Sequence, residues 1–226
     1  MREKMKKKGE SLSHQAYKRF KELLFAKVWK PGDFVSQGEL VSRTGVQISP
    51  MRDALHKLSA EGLVTITPRK GIQVTPASIK IIREVFHLRK VLEKEAVEFF
   101  VTNAHENLIN ELKDNHQKFV KISKKAESPQ ELREIIQQEE YEIHENIISF
   151  LGNDLIARIY RLNADRIKLF RLDYDFSYTS EHVIDALNEH GEIIGAMLKR
   201  DLGKTLQKMD HHVTMALKRA LGPPYL

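Results

Sequence analysis

Residues 31–71 read PGDFVSQGELVSRTGVQISPMRDALHKLSAEGLVTITPRKG, and this stretch decides the fold of the N-terminal part of the chain. Its first element is a short predicted helix over residues 37–42, which follows the polar Ser36. Gly45 comes next, and glycine is the residue that most readily adopts the positive φ of a helix-ending turn. The stretch is therefore expected to begin with a helix and a turn.

A second helix is expected to begin near Ser49 and Pro50, because serine is a good N-cap and proline suits the first helical turn. Gly62 is expected to end this helix. Between these limits three apolar residues recur at i, i+4 and i+7, the spacing of one helix face: Met51, Leu55 and Leu58. The two helices and their turn have the layout of a helix-turn-helix.

Two segments that alternate apolar and polar residues follow, VTIT at 64–67 and IQVT at 72–75. They flank a basic tip, PRKG, so the pattern predicts a two-stranded hairpin. A helix that can enter a major groove, followed by a basic wing, is typical of a DNA-binding domain. The side chains predicted to contact DNA are Gln47, Ser49 and Arg52 on the second helix, Arg43 on the first, and Arg69 and Lys70 in the wing.

The charge of the chain is unevenly distributed. Residues 1–76 contain 15 Lys and Arg against 7 Asp and Glu, whereas the remainder contains 22 against 24. The formal net charge of +6 therefore combines a basic N-terminal part with a slightly acidic C-terminal part. A phosphate backbone attracts the first part and not the second. The lysine-rich residues 4–8 are interpreted as a solvated tail that adds at most nonspecific attraction.

The composition limits the class of protein. With 226 residues and 41% hydrophobic content, the chain is long enough for one large or two small domains. The absence of cysteine excludes disulfides, thiolate catalysis and cysteine-based zinc fingers. No apolar run reaches the roughly 20 residues of a membrane span, and no apolar segment of a signal peptide follows the basic start. We therefore expect a cytoplasmic protein with no membrane partner.

The periodicity of apolar residues divides the chain into three parts. Residues 1–10 are expected to be a basic flexible tail. A first helix from Ser13 to about Lys27 completes a winged helix-turn-helix domain over residues 11–76. Residues 77–226 show a helical period throughout and predict an all-α bundle of six or seven helices. Six of these are expected at about 79–101, 104–125, 129–150, 153–172, 179–199 and 201–221.

Polar residues interrupt the apolar stripes of these helices. Glu140 and His144 lie four residues apart, so both side chains project from one face. His190 lies in the stripe of the next helix but one, and His212 lies beside the stripe of the last. Three imidazoles and a carboxylate that converge inside a bundle would suit a divalent cation, because imidazole suits zinc, nickel, copper or iron and a carboxylate adds charge. The cation expected in this site is zinc, nickel or manganese. Taken singly, each histidine is more often an ordinary core or rim residue, as we expect for His87, His105, His116, His182 and His211.

Two arginines, Arg89 and Arg166, also lie on apolar stripes. A buried guanidinium requires an anion. One interpretation is structural, as an internal ion pair between Arg89 and Glu93 at i+4 or as a side chain that extends to the surface. The other is functional, because a guanidinium forms a fork that binds a carboxylate ligand. Both arginines are therefore candidates for binding a small organic acid.

These features together resemble the GntR family of bacterial transcription regulators, and in particular members whose FadR-type C-terminal domain, called FCD, binds a metal. The resemblance covers the chain from about Leu12 to Leu221. In the N-terminal part it rests on PGD at 31–33, RDAL at 52–55 and EGLV at 61–64. In the C-terminal part it rests on LRKVLE at 88–93, GN at 152–153, EH at 189–190, Asp201 and His212.

The resemblance implies a homodimer that binds operator DNA at the bacterial nucleoid, represses transcription, and responds to an organic-acid effector bound beside the metal. It carries four metal ligands over to this chain: Glu140, His144, His190 and His212. Two positions depart from the family pattern. Glu140 stands where the first ligand is typically aspartate, and Ile48 beside Gln47 stands where arginine beside serine is common. No operator sequence is therefore carried over.

Two alternatives are compatible with the sequence of the C-terminal part. Three histidines and a carboxylate with open coordination positions could activate a water in a metal-dependent enzyme that acts on a small carboxylic acid. The attached DNA-binding module and the lack of an evident nucleophile argue against an enzyme. The metal could instead stabilise a domain that senses nothing, and a ligand-dependent change in DNA affinity would exclude that alternative.

Overall fold

The computed structural model describes residues 11–67, 70–171 and 180–222. They form two compact units, one that runs to Ala77 together with a short segment beginning at Lys168, and one that holds most of the chain from Ser78 onward. None of the helices in these ranges has the length and apolar character needed to cross a membrane. The predicted flexible tail at residues 1–10 lies outside the described residues.

The first unit has three helices and a small antiparallel sheet. Its elements are α1 (Leu12–Phe25), β1 (Phe34–Val35), α2 (Gln37–Thr44), α3 (Ile48–Ala60), β2 (Val64–Thr67) and β3 (Gly71–Val74). The hairpin of β2 and β3 is confirmed, with Thr65 opposite Gln73. The sheet also contains a third strand that the sequence did not indicate, because β1 adds to the free edge of β3 and pairs Val35 with Ile72. Two residues are too few to show an alternating pattern.

The helix ends in this unit follow the local sequence, with one exception. Ser36 caps α2 by accepting a hydrogen bond from the backbone of Glu39, and Gly45 ends it at a φ of 66°. The predicted N-cap at Ser49 is wrong, because α3 begins at Ile48 and has Gln47 as its N-cap. Pro50 then lies at the third helical position, where its missing N–H is among the amides that have no partner inside the helix. Pro50 is therefore compatible with a helix that begins at Ile48, two residues before it.

The second unit is built from helices, and in its described residues they number six, as predicted. They are α4 (Ile79–Asn103), α5 (Glu106–Ser123), α6 (Pro129–Phe150), α7 (Asp154–Arg171), α8 (Ser180–Leu198) and α9 (Leu202–Leu221). Ser78 and Ser128 cap α4 and α6 through their hydroxyl groups. The longest helix, α4, packs against α6 and α9, and α8 packs against α5, α6 and α9. This arrangement directs the polar residues of α4, α6, α8 and α9 towards a common interior.

Candidate functional site

The first unit presents one face of α3 to solvent. Met51 and Leu55 are buried on the opposite face, and Arg52 points outward. Gln47 and Ser49 are exposed at the start of the same helix, where a recognition helix contacts base edges. The structure therefore places the three residues predicted on the second helix on one accessible face.

The other predicted DNA contacts lie on α2 and in the wing. The guanidinium of Arg43 donates to Glu39 Oε1 at 3.2 Å, and Trp29 Nε1 donates to the same oxygen at 2.8 Å. The ion pair is exposed, so it is weak and does not prevent Arg43 from contacting a phosphate. Lys70 is exposed immediately before β3. Arg69 lies outside the described residues.

In the second unit, three histidines from three helices meet in the interior. His144 of α6, His190 of α8 and His212 of α9 are each at most 1% exposed. One ring nitrogen from each lies within 4.8 Å of the other two. Ring centroids are separated by 4.5 to 5.4 Å. The helix packing therefore brings together three of the four predicted metal ligands.

Each of these imidazoles turns its Nδ1 towards a carboxylate. His190 Nδ1 donates to Glu139 Oε2 and His212 Nδ1 donates to Glu189 Oε2, both at 2.7 Å. His144 Nδ1 lies 3.1 Å from Glu93 Oε1 but outside hydrogen-bonding direction. Histidines that bind metals are commonly oriented by a carboxylate on the second ring nitrogen, which leaves Nε2 free for the metal.

The distance between the Nε2 atoms of His190 and His212 tests whether the site suits a cation. His190 Nε2 lies 3.3 Å from His212 Nε2. With the proton of each ring on the Nδ1 that faces its carboxylate, both Nε2 atoms carry lone pairs that point at each other. Such an arrangement is unfavourable in a buried site unless a shared cation or a proton lies between them. The donor set therefore fits a divalent cation held by imidazoles.

The three rings differ in how their surroundings affect protonation. Burial lowers the pKa of His212 well below its ordinary value, and the neighbouring His190 and His144 lower it further, so His212 is neutral and able to bind a cation. Burial also lowers the pKa of His144. For His190, burial acts in the same direction, but the charge and the hydrogen bond of Glu139, together with the charge of Glu140, outweigh it and leave the pKa of His190 raised.

Arg89 of α4 lies at the edge of the histidine cluster and is almost completely buried. Its Nε donates to Glu93 Oε1 and its Nη1 donates to Glu140 Oε1, both at 2.7 Å. Its Nη2 donates to His144 Nε2 at 2.8 Å. The guanidinium therefore binds two carboxylates and also occupies the lone pair of one histidine. The sequence left two alternatives for Arg89, an internal ion pair with Glu93 or a functional position. The structure shows the ion pair, and it also places Arg89 beside the predicted metal ligands.

Glu93 connects the arginine to the rest of the cluster. Its Oε1 accepts hydrogen bonds from Arg89 Nε at 2.7 Å and from the hydroxyl of Tyr160 on α7 at 2.8 Å. Burial raises the pKa of this carboxyl, but Arg89, His144 and Tyr160 together outweigh burial and lower the pKa to about 2. Glu93 is therefore ionised at neutral pH, and its charge balances that of the arginine.

Two of the predicted site residues, Glu140 and Arg166, lie outside the three-histidine cluster. The carboxylate of Glu140 lies on Arg89 and outside the three-histidine cluster, with 15% of its side chain exposed, whereas the neighbouring Glu139 is fully buried. Arg166 is partly exposed on α7. The roles of Glu140 in metal binding and of Arg166 in effector binding stay predictions.

Sequence reasoning missed the carboxylates that orient the histidines, Glu139 and Glu189, as well as Tyr160. The stripe on α6 was assigned through Glu140, and a shift of one residue would have selected Glu139, which is four residues before the buried Ile143. Glu189 precedes His190, so the signal for it was the acidic residue next to a predicted ligand. No pattern in the sequence pointed to Tyr160.

Two protein-family models match the chain at the two units. The model described as "Bacterial regulatory proteins, gntR family" matches residues 12–74, and the FCD domain model matches residues 84–215. The chain belongs to the GntR family, in the group with an FCD domain. The fold and the family predicted from the sequence are both confirmed.

Relatives and solved structures support this membership. The uncharacterised HTH-type transcriptional regulator YdhC of Bacillus subtilis is 28% identical over 188 residues, which cover 83% of this chain and 81% of YdhC. The HTH-type transcriptional repressor RspR of Escherichia coli is 23% identical, over 81% of this chain and 77% of its own. Among solved structures, E. coli McbR/YncC has the same fold, with a TM-score of 0.74 and 17% identity over 91% of this chain and 95% of its own.

The GntR protein described here is therefore a DNA-binding transcriptional regulator. Its family and its relatives are regulators and not enzymes, so the alternative of a metal-dependent enzyme is set aside.

The buried ion cluster predicts a large difference between two neighbouring substitutions on α4. Arg89→Met leaves the carboxylate of Glu93 buried without its counter-charge and should lower the free energy of unfolding by about 3–5 kcal/mol. Lys90→Met is the matched control, because Lys90 makes an exposed ion pair with Asp210 and should cost at most about 1 kcal/mol. Urea unfolding followed by far-UV circular dichroism measures both, and equal effects would contradict the central role of Arg89.

Proposed function

We propose that this GntR protein is a repressor whose FCD domain binds a divalent metal and a small organic acid, and that the acid changes the affinity of the protein for operator DNA. One observation carries the proposal. Three buried imidazoles turn their Nδ1 atoms to carboxylates and bring one ring nitrogen each within 4.8 Å of the other two, next to a buried arginine. A domain that only had to be stable would pack apolar residues there at lower cost.

The residues that would hold the metal are His144, His190 and His212, with Glu140 as a fourth ligand directly or through water. Burial lowers the pKa of both His190 and His212, and Glu140 is close enough for its charge to oppose that effect at both rings, although the pKa of His212 remains well below its ordinary value. Three nitrogen donors and one oxygen donor suit zinc, nickel or manganese, whose identity is set by availability as much as by affinity. When bound, the metal supplies a Lewis acid with open positions for carboxylate oxygens.

The position of Arg89 next to His144 would make acid binding depend on the metal. His144 Nε2 has one lone pair, which can accept a hydrogen bond from Arg89 or bind a metal, but cannot do both. If His144 Nε2 held the metal, one N–H of the Arg89 guanidinium would lose this acceptor, and a carboxylate of the acid could then accept it. Under this proposal, Arg89 recognises the effector mainly in the metal-bound protein.

The proposal assigns DNA binding to residues 11–76 and effector binding to residues 77–226, in the cytoplasm where operator DNA is found. A repressor role is supported by the similarity to RspR, which is a transcriptional repressor. The acid can change DNA affinity only if it binds more tightly to one conformation of the dimer than to another. By linkage, operator DNA must then change the affinity for the acid by the same factor.

A substitution in the metal site tests the proposal. His190→Ala should lower the metal content of protein purified without chelator, lower its thermal stability, and abolish the response of DNA affinity to acids, because bound metal stabilises the folded state by mass action. The measurements are elemental analysis, thermal unfolding, and operator binding in the presence of small mono-, di- and tricarboxylic acids. His211→Ala is the control, since His211 is exposed and adjoins His212.

Two outcomes would contradict the metal assignment. If His144→Ala and His190→Ala both kept full metal occupancy, the set of ligands would be wrong. If metal were lost but operator affinity in the wild type never depended on any acid, the metal would be structural and the sensing role would be excluded.

The exposed face of α3 predicts a loss of DNA affinity on substitution of Arg52. Arg52→Ala should cost about 1–3 kcal/mol of binding free energy without changing stability, because a contact to a base or phosphate is lost. The DNA is a sequence that the wild-type protein selects from a random library, and the measurement is fluorescence anisotropy at fixed salt. Arg19→Ala, at an exposed position of α1, controls for the loss of one positive charge. Unchanged affinity for Arg52→Ala would show that α3 does not enter the groove.

A homodimer is expected because one winged helix contacts too few bases to specify an operator, and a two-fold dimer reads two half-sites about one helical turn apart. Sedimentation velocity at micromolar concentration should give the mass of two chains. Selected DNA sites should contain an inverted repeat. A monomer that bound a single half-site with undiminished affinity would refute this.

A further inference from the structure

A second groove in the FCD domain lies between α5 and α8, apart from the histidine cluster. It has a volume of about 460 Å³, and its apolar lining comes from Val120 of α5 and from Ile194 and Leu198 of α8. Gly191 and Gly195 lie one turn apart on α8 and also line it. Four residues of α8, spaced at i, i+3, i+4 and i+7, thus form a wall roughly 10 Å long.

One buried polar side chain, that of His116, lines this groove. His116 of α5 is 9% exposed, and its Nδ1 donates to Glu139 Oε1 at 2.6 Å, so that its ring is held in place. No hydrogen-bond partner faces its Nε2 among the described residues, and the ring lines the groove. A Cβ at position 191 would lie 3.1 Å from this Nε2. Gly191 therefore keeps the space in front of a buried and otherwise unused acceptor open.

Three lysines line the same groove: Lys113 and Lys121 of α5, and Lys124, the residue that follows α5. In the part of the chain that the structure describes, none of the three has an ion-pair partner. The apolar groove is therefore bordered by three positive charges that are not neutralised.

We propose that the α5–α8 groove binds an amphipathic hydroxycarboxylic acid. The three features of the groove match three chemical groups of such a ligand. The apolar wall covers an aliphatic chain of medium length, the lysines attract a carboxylate, and the Nε2 of His116 accepts a hydrogen bond from a hydroxyl group. Because Nδ1 donates to Glu139, the neutral ring has a lone pair on Nε2, and a hydroxyl group of the ligand is a donor that fits it.

This site differs from the proposed metal centre in ligand chemistry and does not depend on the metal. The metal centre would bind carboxylate oxygens with a cation and a guanidinium, whereas the groove has an apolar wall for most of the ligand surface. The two sites share only Glu139, whose Oε1 holds His116 and whose Oε2 holds His190. Failure of either proposal therefore leaves the other intact.

The proposal is tested by calorimetric titration of the full-length protein, treated with chelator, using 3-hydroxydecanoate and decanoate as probes. The wild type should bind 3-hydroxydecanoate saturably, and decanoate severalfold more weakly because it lacks the donor for His116. Gly191→Ala should reduce the affinity for 3-hydroxydecanoate to that for decanoate, since the added methyl group occupies the position in front of Nε2. Gly203→Ala, at an exposed position of α9, is the control and should leave the affinity for both probes unchanged.

Two further variants separate the parts of the site. His116→Phe should bind both probes equally, and the combined substitution of Lys113, Lys121 and Lys124 by Gln should weaken both about tenfold or more. Lys118→Gln, at an exposed lysine of α5 outside the groove, is the charge control.

The proposal is overturned if neither probe binds saturably at millimolar concentration. It is equally overturned if binding is insensitive to Gly191→Ala and to the lysine substitutions, because the probe would then lie elsewhere. A dimer in the wild type that the lysine substitutions dissociate would also overturn it, since the groove would then be covered by a second copy of the chain.

Discussion

A positive charge buried in a helical bundle must be neutralised where it lies, and the second unit is organised around one such charge, the guanidinium of Arg89. Its three donor atoms are directed at Glu93, Glu140 and His144 at 2.7 to 2.8 Å. These partners come from α4 itself and from α6, so the charge determines how the two helices are aligned. The carboxylate of Glu93 in turn holds Tyr160 of α7.

The same principle extends to the three histidines. Each ring has a carboxylate facing its Nδ1, from α4, α6 and α8, so that the polar interior is a set of matched acid and base groups. Glu189 of α8 also binds Arg219 of α9 and thereby ties the last helix to the cluster. A buried network of this kind stabilises little, but it holds the ring nitrogens in fixed directions. This is the property that a ligand-binding centre requires and that an apolar core does not supply.

The first unit presents one face of a helix to solvent without burying charge. Its core uses the apolar face of α3, with Met51, Leu55 and Leu58, and its exposed face carries Arg52 and other polar residues. Positive charge is concentrated in this part of the chain, whereas the remainder is slightly acidic. The attraction to DNA is therefore confined to the unit that contains the winged helix.

The sequence by itself determined the elements of both units, because amphipathic periodicity and capping residues such as Ser36, Ser78 and Ser128 are local signals. It also selected His144, His190 and His212, since a histidine on an apolar stripe is visible without coordinates. The start of α3 was misplaced because proline is accepted at several positions of a first turn. The strand β1 was missed because two residues carry no period.

Only the tertiary structure decided which polar groups meet. Glu139 and Glu140 are adjacent in sequence, yet one is buried between His116 and His190 and the other is bound to Arg89, because α6 faces α5 and α8 on one side and α4 on another. Helical spacing locates a residue on its own helix to within one position, and one position rotates a side chain by about 100°. Which helix lies opposite, and therefore which partner a charge finds, depends on long-range packing that no local pattern encodes.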